Sequence, residues 1–306
     1  MHEARTMAVL NPPRQWRRGM ARSQAPPVVI AFAQWKGGVG KSTLATHVAS
    51  MLDAVLVDLE PWGAATTWWA GRHAAALWQS SEGSPILRAL ATGKAPRPRS
   101  GAAGRARLVP SHEDLLALGQ APGNSHSAWA WTAEGMPALM VPTVDGPRQL
   151  AVALAEGLQR WAQEWGCPVV VDTPAGFSPL GDGGISASDV LVVPVTPDQW
   201  AFPALQKFMA AYQGEIKAGL IVPNRVRSRR VSDSSWSAVM ESDGVIVPPF
   251  ELGPAVMESE VLHVASRPLI SGPSPGVARE EVIGQVEEVA TRALQLALSG
   301  ARHART

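Results

Sequence analysis

Short runs of consecutive apolar residues alternate along this chain with longer stretches whose apolar positions recur every three or four residues. The short runs, at 28–33, 54–57, 168–171, 190–195, 220–222 and 245–247, have strand length. Between them, residues 41–52 carry helical spacing. A second helix is predicted after Asp145-Gly146-Pro147, with Leu150, Leu154, Leu158, Trp161 and Trp165 on one face. A third is signalled by Ser111-His112-Glu113-Asp114 ahead of Leu115-Leu116-Ala117-Leu118, the form of a capping box. The last helix aligns Val282, Val286, Val289, Ala293 and Leu296, with Glu280, Glu281, Glu287 and Glu288 elsewhere, and so reads as docked on a core. Residues 93–107 and 121–137 read as loops. Strands alternating with helices predict an α/β fold, a doubly wound, mostly parallel sheet flanked by helices, with ligand at the strand C-terminal ends.

Charge divides the chain where hydropathy does not. The net charge is only +1, yet residues 1–27 hold Arg5, Arg14, Arg17, Arg18 and Arg22 against Glu3 alone, among four prolines. They read as a weakly ordered basic arm, followed by a single domain at 28–300 and a tail at 301–306. No apolar stretch follows Arg17-Arg18 as a secretion signal requires, and no run approaches membrane-spanning length. The single cysteine, Cys167, excludes a disulfide framework and fits a cytoplasmic protein. Of the twelve tryptophans, most fall at core spacing; the pairs Trp68-Trp69 and Trp129-Trp131 are harder to bury together and could face a partner.

The candidate chemistry begins at Trp35-Lys36-Gly37-Gly38-Val39-Gly40-Lys41-Ser42-Thr43, between the first strand and a helix N-terminus. Glycines there let backbone N–H groups close around an anion, and the helix dipole adds to the attraction. Residues Gly37 to Thr43 would therefore hold the phosphates of a nucleotide, Lys41 neutralising the β- and γ-phosphates and Ser42 ligating Mg2+. The ordinary loop has glycine where this chain has Trp35, and a second lysine, Lys36, follows. Only five lysines stand beside 22 arginines, and two of the five are in this loop. Compact ammonium groups suit phosphate there.

Two strand ends supply acids on the same edge. Val55-Leu56-Val57-Asp58-Leu59-Glu60-Pro61 places Asp58 and Glu60 two apart, hence on one side of a strand, where either could orient attacking water. Val169-Val170-Val171-Asp172-Thr173-Pro174 ends in Asp172, suited to hold Mg2+ directly or through water.

The lysine-bearing loop, the Asp58-Leu59-Glu60-Pro61 end and the Val171-Asp172-Thr173-Pro174 end occur here in the order that marks one family. With Leu108-Val109-Pro110-Ser111, the stretch 187–197 and Ile221-Val222-Pro223-Asn224-Arg225, the chain resembles the ParA-type partition ATPases of the deviant Walker A (MinD/ParA) superfamily, over roughly residues 27–269. It looks most like the short plasmid-type members. The resemblance implies ATP and Mg2+ as cofactors and a homodimer across ATP, with Lys36 reaching the partner's phosphates and Asn224 and the Pro248 region near adenine. It further implies an ATP state that binds double-stranded DNA nonspecifically, a nucleoid-associated location, and a ParB-like adaptor that stimulates weak hydrolysis. Family members usually carry aspartate where Glu60 stands, so the acid is one methylene longer. The turn at Asp53-Ala54 is also shorter than usual.

Arg225, Arg227, Arg229 and Arg230 form a basic cluster suited to DNA phosphates. A MinD-like membrane-associated ATPase would need a basic amphipathic C-terminal helix, which the four glutamates oppose. Iron–sulfur relatives need cysteine pairs that Cys167 cannot supply. A ParA-like ATPase positioning a protein cargo is the remaining alternative.

Overall fold

The computed structural model describes residues 26–70, 75, 76, 78, 83–100, 106–116, 146–196, 201–212, 214–226, 246, 248–258 and 277–303. Its strands are β1 (Val29–Phe32), β2 (Val55–Asp58), β3 (Arg107–Val109), β4 (Val169–Asp172), β5 (Val190–Val195), β6 (Gly219–Val226), β7 (Phe250–Leu252) and β8 (Val256–Met257). The helices are α1 (Lys41–Met51), α2 (Ala64–Ala70), α3 (Pro85–Thr92), α4 (Gly146–Trp165), α5 (Pro179–Ala187), α6 (Ala201–Tyr212) and α7 (Val277–His303).

The strands run in the order β3-β2-β4-β1-β5-β6-β7, every pairing parallel, and β8 continues alongside the far half of β6. Every residue of β1, β2, β4 and β5 is buried, which explains why these strands are written as continuous apolar runs: helices cover both faces. On one face Val29, Ala31, Val169, Val171 and Val193 meet Ile86 of α3, Leu154, Leu158 and Trp161 of α4, and Phe208 of α6. On the other, Ile30, Phe32, Val170 and Val192 meet Leu44 and Val48 of α1 and Val286, Val289 and Ala293 of α7. Leu296 joins that face half-buried, so the last helix is docked on the core as its pattern predicted.

Four expectations about elements change. β6 extends to Val226, beyond the apolar stretch 220–222, because polar Asn224 and Arg225 continue it beneath the phosphate loop. Of the strand predicted at 245–247 only Ile246 is described, and it is not in a strand; the edge strand is Phe250–Leu252. The capping box opens on a 3-10 turn, Glu113–Leu115, capped by His112, whose Nδ1 accepts the N–H of Asp114; Leu116 follows in helical conformation, and residues 117–120 lie outside the described residues. The pair Trp68-Trp69 is packed in place: Trp69 is buried and donates to the Ala106 carbonyl, and Trp68 lies edge-on to His47. Trp129, Trp131 and residues 1–25 and 304–306 lie outside the described residues.

Candidate nucleotide site

The chain leaves β1 and re-enters helix at Lys41 through Gly38 and Gly40, whose φ angles of +75° and +95° are left-handed. Gly40 is the N-cap of α1 and provides no side-chain cap, so the first-turn N–H groups remain available to an anion. Two constraints hold residue 40 to glycine. Its φ is positive, and a Cβ there would stand 2.1 Å from Nδ2 of Asn224. Gly37 and Gly38 are exposed, with nothing within 4 Å of an added Cβ, and so line the open mouth of the loop.

Lys41 is buried, its ammonium pKa lowered by burial and partly restored by the charges of Asp172 and Glu60. Ser42 and Thr43 follow, half-buried, in the first helical turn. Because β2 and β4 are neighbours in parallel register, Asp58 and Asp172 stand side by side at their ends, and both carboxylates are fully buried. Burial first, then the adjacent Asp58 charge, pushes Asp172 well above the usual carboxylate range. Neither oxygen of Asp172 makes a hydrogen bond of good geometry, although the Ser42 hydroxyl is near enough to favour the ionised form. A buried, unsatisfied carboxylate beside a hydroxyl at a phosphate loop is the oxygen donor set that Mg2+ requires. The residues present therefore fit that ion.

Strand period does not relate Asp58 to Glu60, because β2 ends at Asp58 and Glu60 lies just beyond it, close enough for its charge to act on Asp58, Asp172 and Lys41. Asp58 accepts three hydrogen bonds: from the Glu60 N–H at 3.1 Å, the Thr66 N–H at 2.7 Å and the Thr66 hydroxyl at 2.7 Å. Burial still raises its pKa to about 7, with Thr66 and then Glu60's N–H opposing the rise. Asp58 is thus committed to anchoring α2. Glu60 instead reaches the chain after β4, its Oε2 accepting the Ala175 N–H at 3.3 Å. Of the two acids, Glu60 is the one oriented toward the loop after β4.

Sequence reasoning missed the residues that brace this turn. The Thr66 hydroxyl also accepts the Ser111 N–H at 2.9 Å, and the Ser111 hydroxyl donates to the Glu60 carbonyl at 2.5 Å. Ser111 serves the acid turn rather than a helix cap, and nothing local in the chain announced that long-range pairing. Lys36 points along its own chain, its Nζ donating to the Thr196 hydroxyl beyond β5 at 3.4 Å. Trp35 fills the place of the missing glycine and packs against Phe177, centroids 3.7 Å apart and rings tilted by 40°.

Asn224 lies buried against the loop, its Nδ2 donating to the Val39 carbonyl at 2.7 Å, with Oδ1 unsatisfied. Arg225 turns to the same loop, donating to the Gly38 carbonyl and pairing with Glu258, each at 3.2 Å. Arg227, Arg229 and Arg230 lie outside the described residues. Pro248 departs from expectation. It precedes β7, whose first residue Phe250 pairs with Gly219 at the start of β6, so it sits on the sheet edge opposite the loop. The residues on the loop's edge are 253–255, which lead into Val256 beside Asn224. The turn signal Gly253-Pro254 after Phe250-Glu251-Leu252 marks them in the sequence.

No protein-family model matches the chain. It is 29% identical over 234 residues to the Maintenance of carboxysome distribution protein A of Gloeobacter kilaueensis, covering 72% of this chain and 96% of that one. It is 28% identical over 197 residues to the chromosome-partitioning ATPase Soj of Thermus thermophilus, covering 62% of this chain and 63% of Soj. The fold superposes on the ATP complex of a Cyanothece McdA variant with a TM-score of 0.62 at 18% identity, over 88% of this chain and 96% of that one. The sheet order, the left-handed glycines before Lys41, the buried acids at the ends of β2 and β4, and these relatives agree in one likeness: the chain is similar to the ParA-type P-loop ATPases.

Proposed function

We propose that this protein binds Mg2+–ATP in the loop 37–43, dimerises across it, and uses hydrolysis to position a cargo on DNA together with an adaptor protein. The observation that carries the reading is the convergence on one loop of Lys41, the uncapped N-terminus of α1 and the unsatisfied carboxylate of Asp172. Ser42 and Asp172 would hold Mg2+, which neutralises charge developing on the phosphates. Lys41 and the first-turn N–H groups hold the phosphates in place. Glu60 orients water, and Asn224 with the 253–255 turn bounds the base. Lys36, drawn here toward Thr196, crosses to the second subunit's phosphates and stabilises charge only after two chains meet.

Nonspecific duplex contact is assigned to Arg227, Arg229 and Arg230. A second group of cations, Arg88, Lys94, Arg97 and Arg99, lines a cleft between α3 and the chain that follows it. Two cargoes are consistent with this machine. Segregation of plasmid or chromosomal DNA follows the Soj relative. Positioning of a protein assembly follows the relative named for carboxysome distribution, whose length the match covers almost entirely. No helix among the described residues is long and apolar enough to cross a membrane.

Sedimentation and duplex-binding measurements with ADP and with a non-hydrolysable ATP analogue test the reading. Dimerisation and salt-sensitive duplex binding in the analogue alone are expected. A monomer that ignores nucleotide, or duplex affinity unchanged by alanine at Arg227, Arg229 and Arg230, would sink the corresponding step. Immobilised full-length chain, challenged with the product of a neighbouring gene, separates the cargoes: a DNA-binding adaptor supports segregation and an adaptor without DNA affinity supports a protein cargo.

A further inference from the structure

Between the Mg2+ acid and α5, the segment Ala175-Gly176-Phe177 touches three different parts of the molecule. The Ala175 N–H donates to Glu60 Oε2 at 3.3 Å. The Gly176 N–H donates to the Trp35 carbonyl at 3.0 Å. The Phe177 ring lies on the Trp35 indole, which is itself edge-on to Phe208 at 5.5 Å and Tyr212 at 6.0 Å in α6. Phe177 is nevertheless 66% exposed, so the contact with Trp35 covers one side of a ring that otherwise meets solvent. Gly176 takes a φ of +80°, a left-handed conformation that turns the chain toward Phe177 and that glycine adopts without strain.

From this we infer that Trp35 and Phe177 are positioning residues for hydrolysis: their packed rings hold residues 175–177 where the Ala175 N–H orients the Glu60 carboxylate. The inference rests on the reading of Glu60 as the acid that orients water. It gives a physical reason for the departure at residue 35. A glycine there would leave Phe177 nothing to pack against, and segment 175–177 would be held by two backbone N–H contacts alone. It also accounts for the extra methylene of Glu60, whose longer reach meets an N–H contributed by a different strand end. An indole anchored by Phe208 and Tyr212 loses little freedom on packing, whereas an exposed aliphatic side chain at residue 177 would gain no such partner.

The test uses the full chain. Hydrogen–deuterium exchange of the peptide spanning 173–178 is measured without nucleotide in Trp35→Gly, Trp35→Phe and Phe177→Ala. Exchange about tenfold faster in Trp35→Gly and Phe177→Ala, and close to unmutated in Trp35→Phe, is expected. Turnover with Mg2+ and ATP should fall several-fold in Phe177→Ala with nucleotide affinity kept within about twofold. In a Glu60→Gln background, Phe177→Ala should cost nothing further, since a residue acting through Glu60 has nothing left to orient. Exchange that does not change, or turnover losses that add fully to those of Glu60→Gln, would overturn the inference. An unmutated chain that hydrolyses no ATP would instead refute the role of Glu60, while the exchange comparison still decides whether the rings hold the segment. Should Trp35→Gly fail to fold, Trp35→Leu, which keeps bulk without an aromatic face, replaces it.

Discussion

Thr66→Val removes one oxygen from the network around Asp58 while keeping the shape of a side chain that is 1% exposed. Two bonds go: the 2.7 Å bond from the hydroxyl to Asp58, and the 2.9 Å bond that the hydroxyl accepts from Ser111 N–H. A hydrogen bond to a charged group contributes about 1.5–3 kcal/mol, and a buried N–H left unpaired costs about 1–3 kcal/mol. The added methyl returns about 0.8 kcal/mol. The net loss is about 3 kcal/mol where Asp58 is ionised, or roughly 6–12 °C in melting temperature for a domain of this class. The loss should depend on pH in a definite direction. The folded-state pKa of Asp58, about 7, lies above the ordinary value of 3.8, so stability from its neutral form is complete below about pH 4 and declines as pH rises through 7. Thr66 opposes that decline by favouring the ionised form, as the Glu60 N–H does; the buried Asp172 and the Glu60 carboxylate face the same group. Thr66→Val therefore costs more at pH 8 than at pH 5.5, by about 1 kcal/mol, the difference between a charged and a neutral hydrogen bond. Thermal unfolding of the nucleotide-free chain at both pH values, with Thr66→Ser as the variant that keeps the hydroxyl, measures it. An equal loss at both pH values, or a larger one at pH 5.5, refutes the assignment of Asp58 as the group that Thr66 serves.

Gly40→Ala should strain the loop by about 1–2 kcal/mol at its left-handed φ and push Asn224 off the Val39 carbonyl. Calorimetric nucleotide affinity should then fall at least tenfold, whereas Gly37→Ala, with open space around it, should be mild. Asp172→Asn should raise the melting temperature of the nucleotide-free chain, because a buried carboxylate without a hydrogen bond is replaced by a neutral group. The same variant should lose the Mg2+-dependent gain in ATP affinity, seen by titration with and without EDTA. Lys36→Ala should retain ATP binding and lose adaptor-stimulated hydrolysis in a phosphate-release assay; full stimulated turnover would remove its cross-subunit role.

Where burial on two faces dictated composition, the chain was easy to read. Residues 190–195 emerge as β5 without a shift, and β1, β2 and β4 differ from their apolar runs by one residue at each end. The loop and Asp172 were legible because their chemistry is local: glycines, lysine and hydroxyl in one stretch, an acid closing an apolar strand. What escaped was set by contacts across the sheet. β6 looked short because Asn224 and Arg225 are polar, and they are polar because they back the phosphate loop. Asp58 and Glu60 looked equivalent by strand period until the turn at Glu60 separated them. Ser111 looked like a cap because three residues of local pattern cannot reveal a partner 51 positions away. Pro248 was placed by likeness alone, and the parallel register of β7 carries it to the opposite edge.

Of the eleven residues of α1, eight are buried, the helix packing on the sheet beside α7. The helix that backs the phosphate loop is therefore firmly wedged, like a stator. Any message that a phosphate has arrived or left must be carried by the pieces hung beyond the strand ends: Lys36 on its tether to Thr196, the braced turn at Glu60, and exposed Trp62 and Phe177 beside them. Trp62 and Phe177 are exposed there, so under the proposed function sensing the nucleotide and presenting a surface to another protein would fall to the same few residues.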